Sequence, residues 1–442
     1  MKNVFKIIIA VFAMLLTSCA GSDYFDAIPQ ESSAIMSIDI NKSKIKDNQE
    51  MLKTFLHVKD INDCGIDLTQ KVYLFESPEG YFGLCAKVKD EGDLKDKLKD
   101  AGMETKKFHD FYFANIGDSW LAGFSDDALL LMGPITLEDQ SSLKIKMARY
   151  LNQDEDEGIK QTPMFEKLDS IESPIALVAQ AQAFPDKFVA PLTIGAPQNA
   201  DASQILIAAK IQPQNKILKI EGETFSFDKR INSSLKEAQK VYRPIHQKYL
   251  NALSDNTLLG LCMNVEGPKF LNLLHQNPSI QALLAGINVA IDMDNIIKSV
   301  SGDMAISIHT YSKDNLKMSM VADIANDSWK KDIGYWKKSV PKGAKISDAG
   351  LNRWAYTSSS NSFYFGTSQN KQFYCETEQG YALSHIAGNK IAVSSDVVSL
   401  AKGQKMVMAI NLRSIKDKSL QSVTAFMKPL FGNVNTILYI LK

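Results

Sequence analysis

Two hydrophobic periods alternate along the chain. Short apolar runs with strand character end on a polar residue and give way to apolar residues at helical spacing. Four segments share this pattern, at residues 33–40, 174–181, 258–265 and 405–412. Aligned on Asp39, Gln180, Asn264 and Asn411, they are spaced 141, 84 and 147 residues apart, a rhythm that predicts two halves of two related units each. After the first strand, Ile45, Leu52, Phe55 and Leu56 mark a helix face; after the last, Leu420, Val423 and Met427 do. Hairpins follow. Residues 72–76 turn through Ser77-Pro78-Glu79-Gly80 into 81–88, and 304–311 turn through Ser312-Lys313-Asp314-Asn315 into 316–323. Each leads into a lysine-rich helical stretch, 93–99 and 328–338. A third hairpin joins 204–212 to 216–227 through Pro213-Gln214-Asn215. Behind it, Ile231, Leu235, Ala238, Tyr242, Ile245 and Tyr249 mark one face of a helix that Pro244, costing about 3 kcal/mol inside a helix, should kink or break. The strand-like run 436–441 has no hairpin partner, so either its edge is exposed or another segment covers it. The pattern predicts an α+β fold of strand-helix-hairpin-helix units, with antiparallel sheets covered by helices on one face.

The first residues read as an address. Lys2 and Lys6 precede an uncharged apolar run over 7–16, the two parts of a secretory signal, and ten apolar residues are too few to span a bilayer. The run closes on Leu16-Thr17-Ser18-Cys19, which resembles the bacterial lipobox. That resemblance implies cleavage before Cys19, diacylglycerol on its sulfur and an acylated amine. Two or three acyl chains amount to stable anchoring, where one binds only reversibly. The expected division is a signal peptide at 1–18, lipidated cysteine and tether at 19–27, a first α+β half at 28–253, and a second at 254–442 whose last unit is truncated. Ala20 in place of aspartate after the cysteine leans toward the outer membrane, by analogy with other bacteria. The acidic run 153–158 reads as a solvated linker.

Composition removes several classes. With 442 residues, 50 basic and 50 acidic side chains and 45% hydrophobic residues, the chain is an ordinary globular protein. Its five arginines, Arg149, Arg230, Arg243, Arg353 and Arg413, are scattered, which argues against a nucleic-acid partner. Cys64, Cys85, Cys262 and Cys375 are too few for a disulfide framework and read as free, buried thiols. No two of the six histidines lie within ten residues, so local metal-ligand pairs are missing. Phosphate-loop and dinucleotide glycine spacings are absent, and no cofactor is expected. Gly123-Phe124-Ser125-Asp126-Asp127 lacks the second glycine of a nucleophile elbow. The run from Asn152 misplaces the glycine of a calcium loop and has Pro163 where the bidentate glutamate belongs.

Two features remain as weak binding candidates. Asp39, Gln180, Asn264 and Asn411 occupy one place per unit and could line a shared cleft, although a side-chain oxygen at a strand end more often starts the next turn. Trp329 and Trp336, set among Lys330, Lys331, Lys337 and Lys338, could rest in a lipid headgroup layer, although a solvated helix with an aromatic core face fits the same pattern better. The lipobox, the segment Asp23-Tyr24-Phe25-Asp26, and the stretch from Ile28-Pro29-Gln30 to Ile38-Asp39 together resemble the opening of a Bacteroidetes-type lipoprotein family known as a domain of unknown function (4836). The resemblance covers most of the mature chain on loose, structural motifs. It implies an exported lipoprotein with no established reaction, and it carries over no catalytic residue. The expectation is a membrane-anchored, non-enzymatic binding or scaffolding protein of the cell envelope, facing the periplasm or cell surface, with an envelope protein or glycan as partner. An envelope glycan or peptide hydrolase assembled from distant residues is one alternative, and a headgroup-contacting structural protein another. A shallow groove of apolar and amide groups would favour binding; paired carboxylates or a Ser-His pair in a deep pocket would favour hydrolysis.

Overall fold

A computed structural model describes residues 23–42, 64–184, 189, 192–312, 315–359, 361–386, 393–414 and 431–441. Cys19 and the helices expected from Ile45 to Leu56 and from Leu420 to Met427 lie outside them. The fold is mixed α+β, and its contacts divide the chain into two units, residues 1–179 and 180–442.

The first unit starts earlier than the sequence suggested. Tyr24–Ala27 form a 3-10 helix, with Tyr24, Asp26 and Ala27 buried. Phe25 stacks on Phe165 at 5.1 Å and meets Tyr73 edge-on at 5.7 Å. Burying two aromatic rings draws residues 24–27 out of the tether and into the body. The strands are β1 (Ala34–Ile38), β2 (Val72–Glu76), β3 (Phe82–Lys87), β4 (Lys106–Phe108), β5 (Phe111–Ile116), β6 (Trp120–Phe124), β7 (Ala128–Gly133) and β8 (Ile175–Gln180). They pair, all antiparallel, in the order β8-β1-β2-β3-β7-β6-β5-β4. Helix α1 (Glu91–Asp100) connects β3 to β4, and its N-cap Asp90 accepts the Asp93 N–H at 2.8 Å. Between β7 and β8 lie α2 (Gln140–Leu151), which buries Leu143, Met147 and Tyr150, and α3 (Pro163–Asp169), capped by Thr162 with proline at its first position. The acidic run before α3 is no linker: Gly158 bridges Pro29, and the Ile159 N–H donates to the Ile28 carbonyl at 2.9 Å. A side chain at Gly158 would come within 2.6 Å of the Asp26 Cα, so this turn belongs to the packed body.

The second unit opens with β9 (Leu206–Gln214) and β10 (Ile217–Phe225). Their two-residue turn is Asn215-Lys216, one step beyond the expected Pro213-Gln214-Asn215, and both turn residues have positive φ, 49° and 65°. That twist matches the strands it joins. Helix α4 (Lys229–Gln239) buries Ile231, Leu235 and Ala238, with Asp228 accepting the Arg230 and Ile231 N–H groups at its start. It ends before Pro244 rather than kinking there; Tyr242 and Arg243 form the short strand β11, and Tyr242, Ile245 and Tyr249 are buried from outside the helix. Next come β12 (Leu259–Glu266), α5 (Gly267–Gln276), α6 (Pro278–Asn288), α7 (Met293–Lys298), β13 (Val300–Ser312) and β14 (Asn315–Ile324). A 3-10 turn over Ser328–Asp332 leads into α8 (Ile333–Ser339), followed by β15 (Lys345–Gly350), β16 (Arg353–Thr357), β17 (Ser362–Thr367) and β18 (Gln372–Glu376). The unit closes with α9 (Tyr381–Ile386), α10 (Ser395–Ala401), β19 (Met406–Asn411) and β20 (Thr436–Leu441).

Pairing runs β9-β10-β20-β19-β12-β13-β14-β18-β17-β16-β15, antiparallel except for the parallel pair β10 and β20. The partnerless final strand is therefore covered on both sides. That parallel pair also explains why the units meet near residue 180 and not at 253/254: bonded to β20, the β9 and β10 hairpin is drawn into the second unit.

From β8 to β4 and from β19 to β15 the two units have the same strand order. The registers correspond as well: Ala34 faces Ala179 where Leu259 faces Ile410, and Ile38 faces Ile175 where Met263 faces Met406. Of the four cysteines among the described residues, Cys64, Cys85 and Cys262 are buried and Cys375 is partly so.

Candidate functional site

The four strand-end residues do not gather in one cleft within either unit. Antiparallel pairing puts the end of one strand beside the start of its neighbour. Asp39 thus follows Ile38, which faces the start of β8, while Gln180 lies at the other end of that strand. Asn264 and Asn411 are separated in the same way across β12 and β19, where the Asn411 N–H donates to Leu258. Asp39 accepts the Lys42 N–H at 3.0 Å, Asn411 accepts the Arg413 N–H at 3.1 Å, and Gln180 accepts from the Gln182 amide. Two of the four therefore start the next turn.

Asn264 is different. Its amide donates to Asp303 Oδ1 at 2.8 Å, and its oxygen accepts Arg243 Nε at 2.9 Å. Asp303, 1% exposed, also accepts the backbone N–H groups of His246 at 2.9 Å and Lys248 at 3.0 Å. Further along, Asp323 accepts Lys248 Nζ and the Tyr249 hydroxyl, both at 2.7 Å, and Gln372 Nε2 donates to that hydroxyl at 2.9 Å. The network ties the loop after β11 to the ends of β12, β13, β14 and β18. Its carboxylates are occupied by the protein's own donors, so its role is structural.

Trp329 and Trp336 face inward, 0% and 5% exposed. Their rings stack at 6.0 Å, and Trp329 meets Phe373 edge-on at 5.8 Å. Lys331 and Lys338 are exposed, and Lys337 pairs with Asp348 at 2.7 Å. The indoles thus form the core face of this helical segment, away from any headgroup layer.

Ser307 Oγ lies 3.5 Å from His385 Nε2. Both residues are buried, at 1% and 2% exposure, and the His385 ring stacks on His309 at 6.2 Å. Burial, helped by His309, holds the His385 imidazole down at about 4. Its Nδ1 has no hydrogen-bond partner, so no carboxylate orients it as a catalytic base would require. Among the described residues no cluster of three or more histidine, cysteine, aspartate or glutamate side chains is placed to hold a metal, and no helix is long and apolar enough to cross a membrane.

Among the described residues, a small open pocket lies in the second unit between α4 and the edges of β10, β19 and β20; its space of about 380 Å³ includes the open solvent at its mouth. Helix α4 contributes Leu235, Ala238 and Gln239; Leu192 and Ile194 close one side, and Met406 and Leu441 form the sheet wall. Thr224, Tyr242 and Tyr439 also line it, and the Tyr439 hydroxyl itself is fully buried. Burial pushes the Tyr439 hydroxyl up to about 12, and the Tyr242 hydroxyl, which burial and neighbouring Tyr439 both affect, higher still. Both therefore stay protonated, as donors. The Tyr439 hydroxyl faces Thr224 but makes no hydrogen bond of good geometry. Sequence reasoning placed Leu235, Ala238 and Tyr242 on one apolar face and missed the cavity above it. The legible signal was a tyrosine in that stripe and another in the apolar run at 436–441.

The family model for the domain of unknown function DUF4836 matches residues 26–437. The chain belongs to that family. Among curated proteins none matches. Solved structures that resemble it include crystal forms of TP0453. Form IV is 12% identical at a TM-score of 0.29, covering 45% of this chain and 78% of that one. Form I is 10% identical at 0.26, covering 87% and 99%, and form III is 8% identical at 0.29, covering 81% and 94%. At such depth the chemistry must be argued from this chain's own residues.

Proposed function

We propose that this DUF4836 protein is an exported lipoprotein that binds a ligand, or scaffolds a partner, at the cell envelope without transforming it. The observation that carries this reading is the lining of the pocket under α4: apolar walls with Thr224, Gln239, Tyr242 and Tyr439 as its polar residues and, among the described residues, no carboxylate, imidazole, amine or thiol. Such a surface desolvates and orients; it offers no strong acid or base for bond cleavage. Lipid on Cys19 holds the protein at the outer membrane. Because Tyr24 is already packed in the first unit, the tether is only a few residues long and the body lies close to the bilayer. The shared strand order and register support a duplicated ancestral unit.

Two experiments test the reading. An organic extract of the producing cells' envelope should raise the melting temperature of the full chain saturably, and the bound compound should be released with unchanged mass. Turnover into smaller products would make the protein a hydrolase, and no shift would end the binding reading. Cys19→Ala should abolish fatty-acid labelling; unchanged labelling would contradict the anchor.

A further inference from the structure

We draw no further inference here: the strongest candidate, the partly exposed apolar patch that Leu259, Leu261, Ile306, Ile308, Met318 and Met320 form on one face of β12, β13 and β14 in the second unit, carries nothing because nothing in the structure shows what covers it.

Discussion

The same face of the same strands is built from different chemistry in the two units. In the first, Phe113 faces Gly123 across β5 and β6, Gly123 faces Leu130 on β7, and Met132 lies two residues on; Phe113, Leu130 and Met132 are all buried. In the second, the corresponding positions are Arg353, Gly366, Tyr374 and Glu376. Arg353 Nη2 reaches Glu376 Oε1 at 3.2 Å, and the other carboxylate oxygen accepts the Ala382 N–H at the start of α9 at 2.7 Å. The first unit covers this face with the twelve-residue α2, the second with the six-residue α9. A short helix buries less, and Glu376 compensates by holding its first turn. The glycine stays in both units for one reason. A Cβ at Gly123 would come 2.6 Å from the Phe113 ring, and one at Gly366 2.3 Å from the Asn352 carbonyl. Register and glycine define the frame, and the interior chemistry varies within it.

Breaking the ion pair tests this most severely. Glu376→Ala should destabilise the second unit by about 3 kcal/mol, because it leaves the buried guanidinium without its partner. Copying the first unit, with Arg353→Phe and Glu376→Met together, should recover most of that loss, as replacement of a buried pair by apolar groups often does. Chemical denaturation of the single and double variants would show it, and a double variant worse than the single one would refute the equivalence of the two faces.

The polar strand ends provide a second contrast. In the first unit Lys71, just before β2, pairs with Asp169 on the surface at 3.0 Å, whereas Asp303, inside β13 and opposite Asn264, is buried under the loop after β11. Asp303→Ala should cost about 2 kcal/mol by stranding its donors, and Lys71→Ala should cost at most about 0.5 kcal/mol as an exposed pair. Equal effects would remove the contrast.

The smallest expected effect is a difference in pH response. Burial raises the Asp26 carboxyl from 3.8 to about 6, against the pull of Lys160, so its contribution is complete below 3.8 and is lost as pH rises through 6. His385 goes the other way, from 6.5 down to about 4: its contribution is complete above 6.5 and is lost as pH falls toward 4. Between about pH 4 and 6, acidification should firm the first unit and loosen the second, read as hydrogen exchange around Asp26 and in α9. Asp26→Asn and His385→Phe should each flatten its own response.

Much of the frame was legible because strands and hairpins announce themselves locally. The apolar runs at Val72–Glu76 and Thr436–Leu441 need no knowledge of partners. The alignment on Asp39, Gln180, Asn264 and Asn411 fell on corresponding register positions because each is the first polar residue after an apolar strand. Partnership was hidden. Nothing local to the hairpin at 206–225 shows that β20 will join it in parallel, which moved the boundary between units. The pocket was hidden for the same reason: Leu235 and Tyr242 read as core until the wall opposite them is known. Pro244 misled in a smaller way, since the helix had already stopped at Gln239.

The central claim is that both units share a frame while the proposed ligand site belongs to the second. Hydrogen exchange of the full chain, with and without a saturating envelope extract, tests it directly. Protection confined to α4, β10 and β20, with peptides from 64–179 unchanged, is the expected result; protection spread over the first unit, or absent from α4, would contradict it.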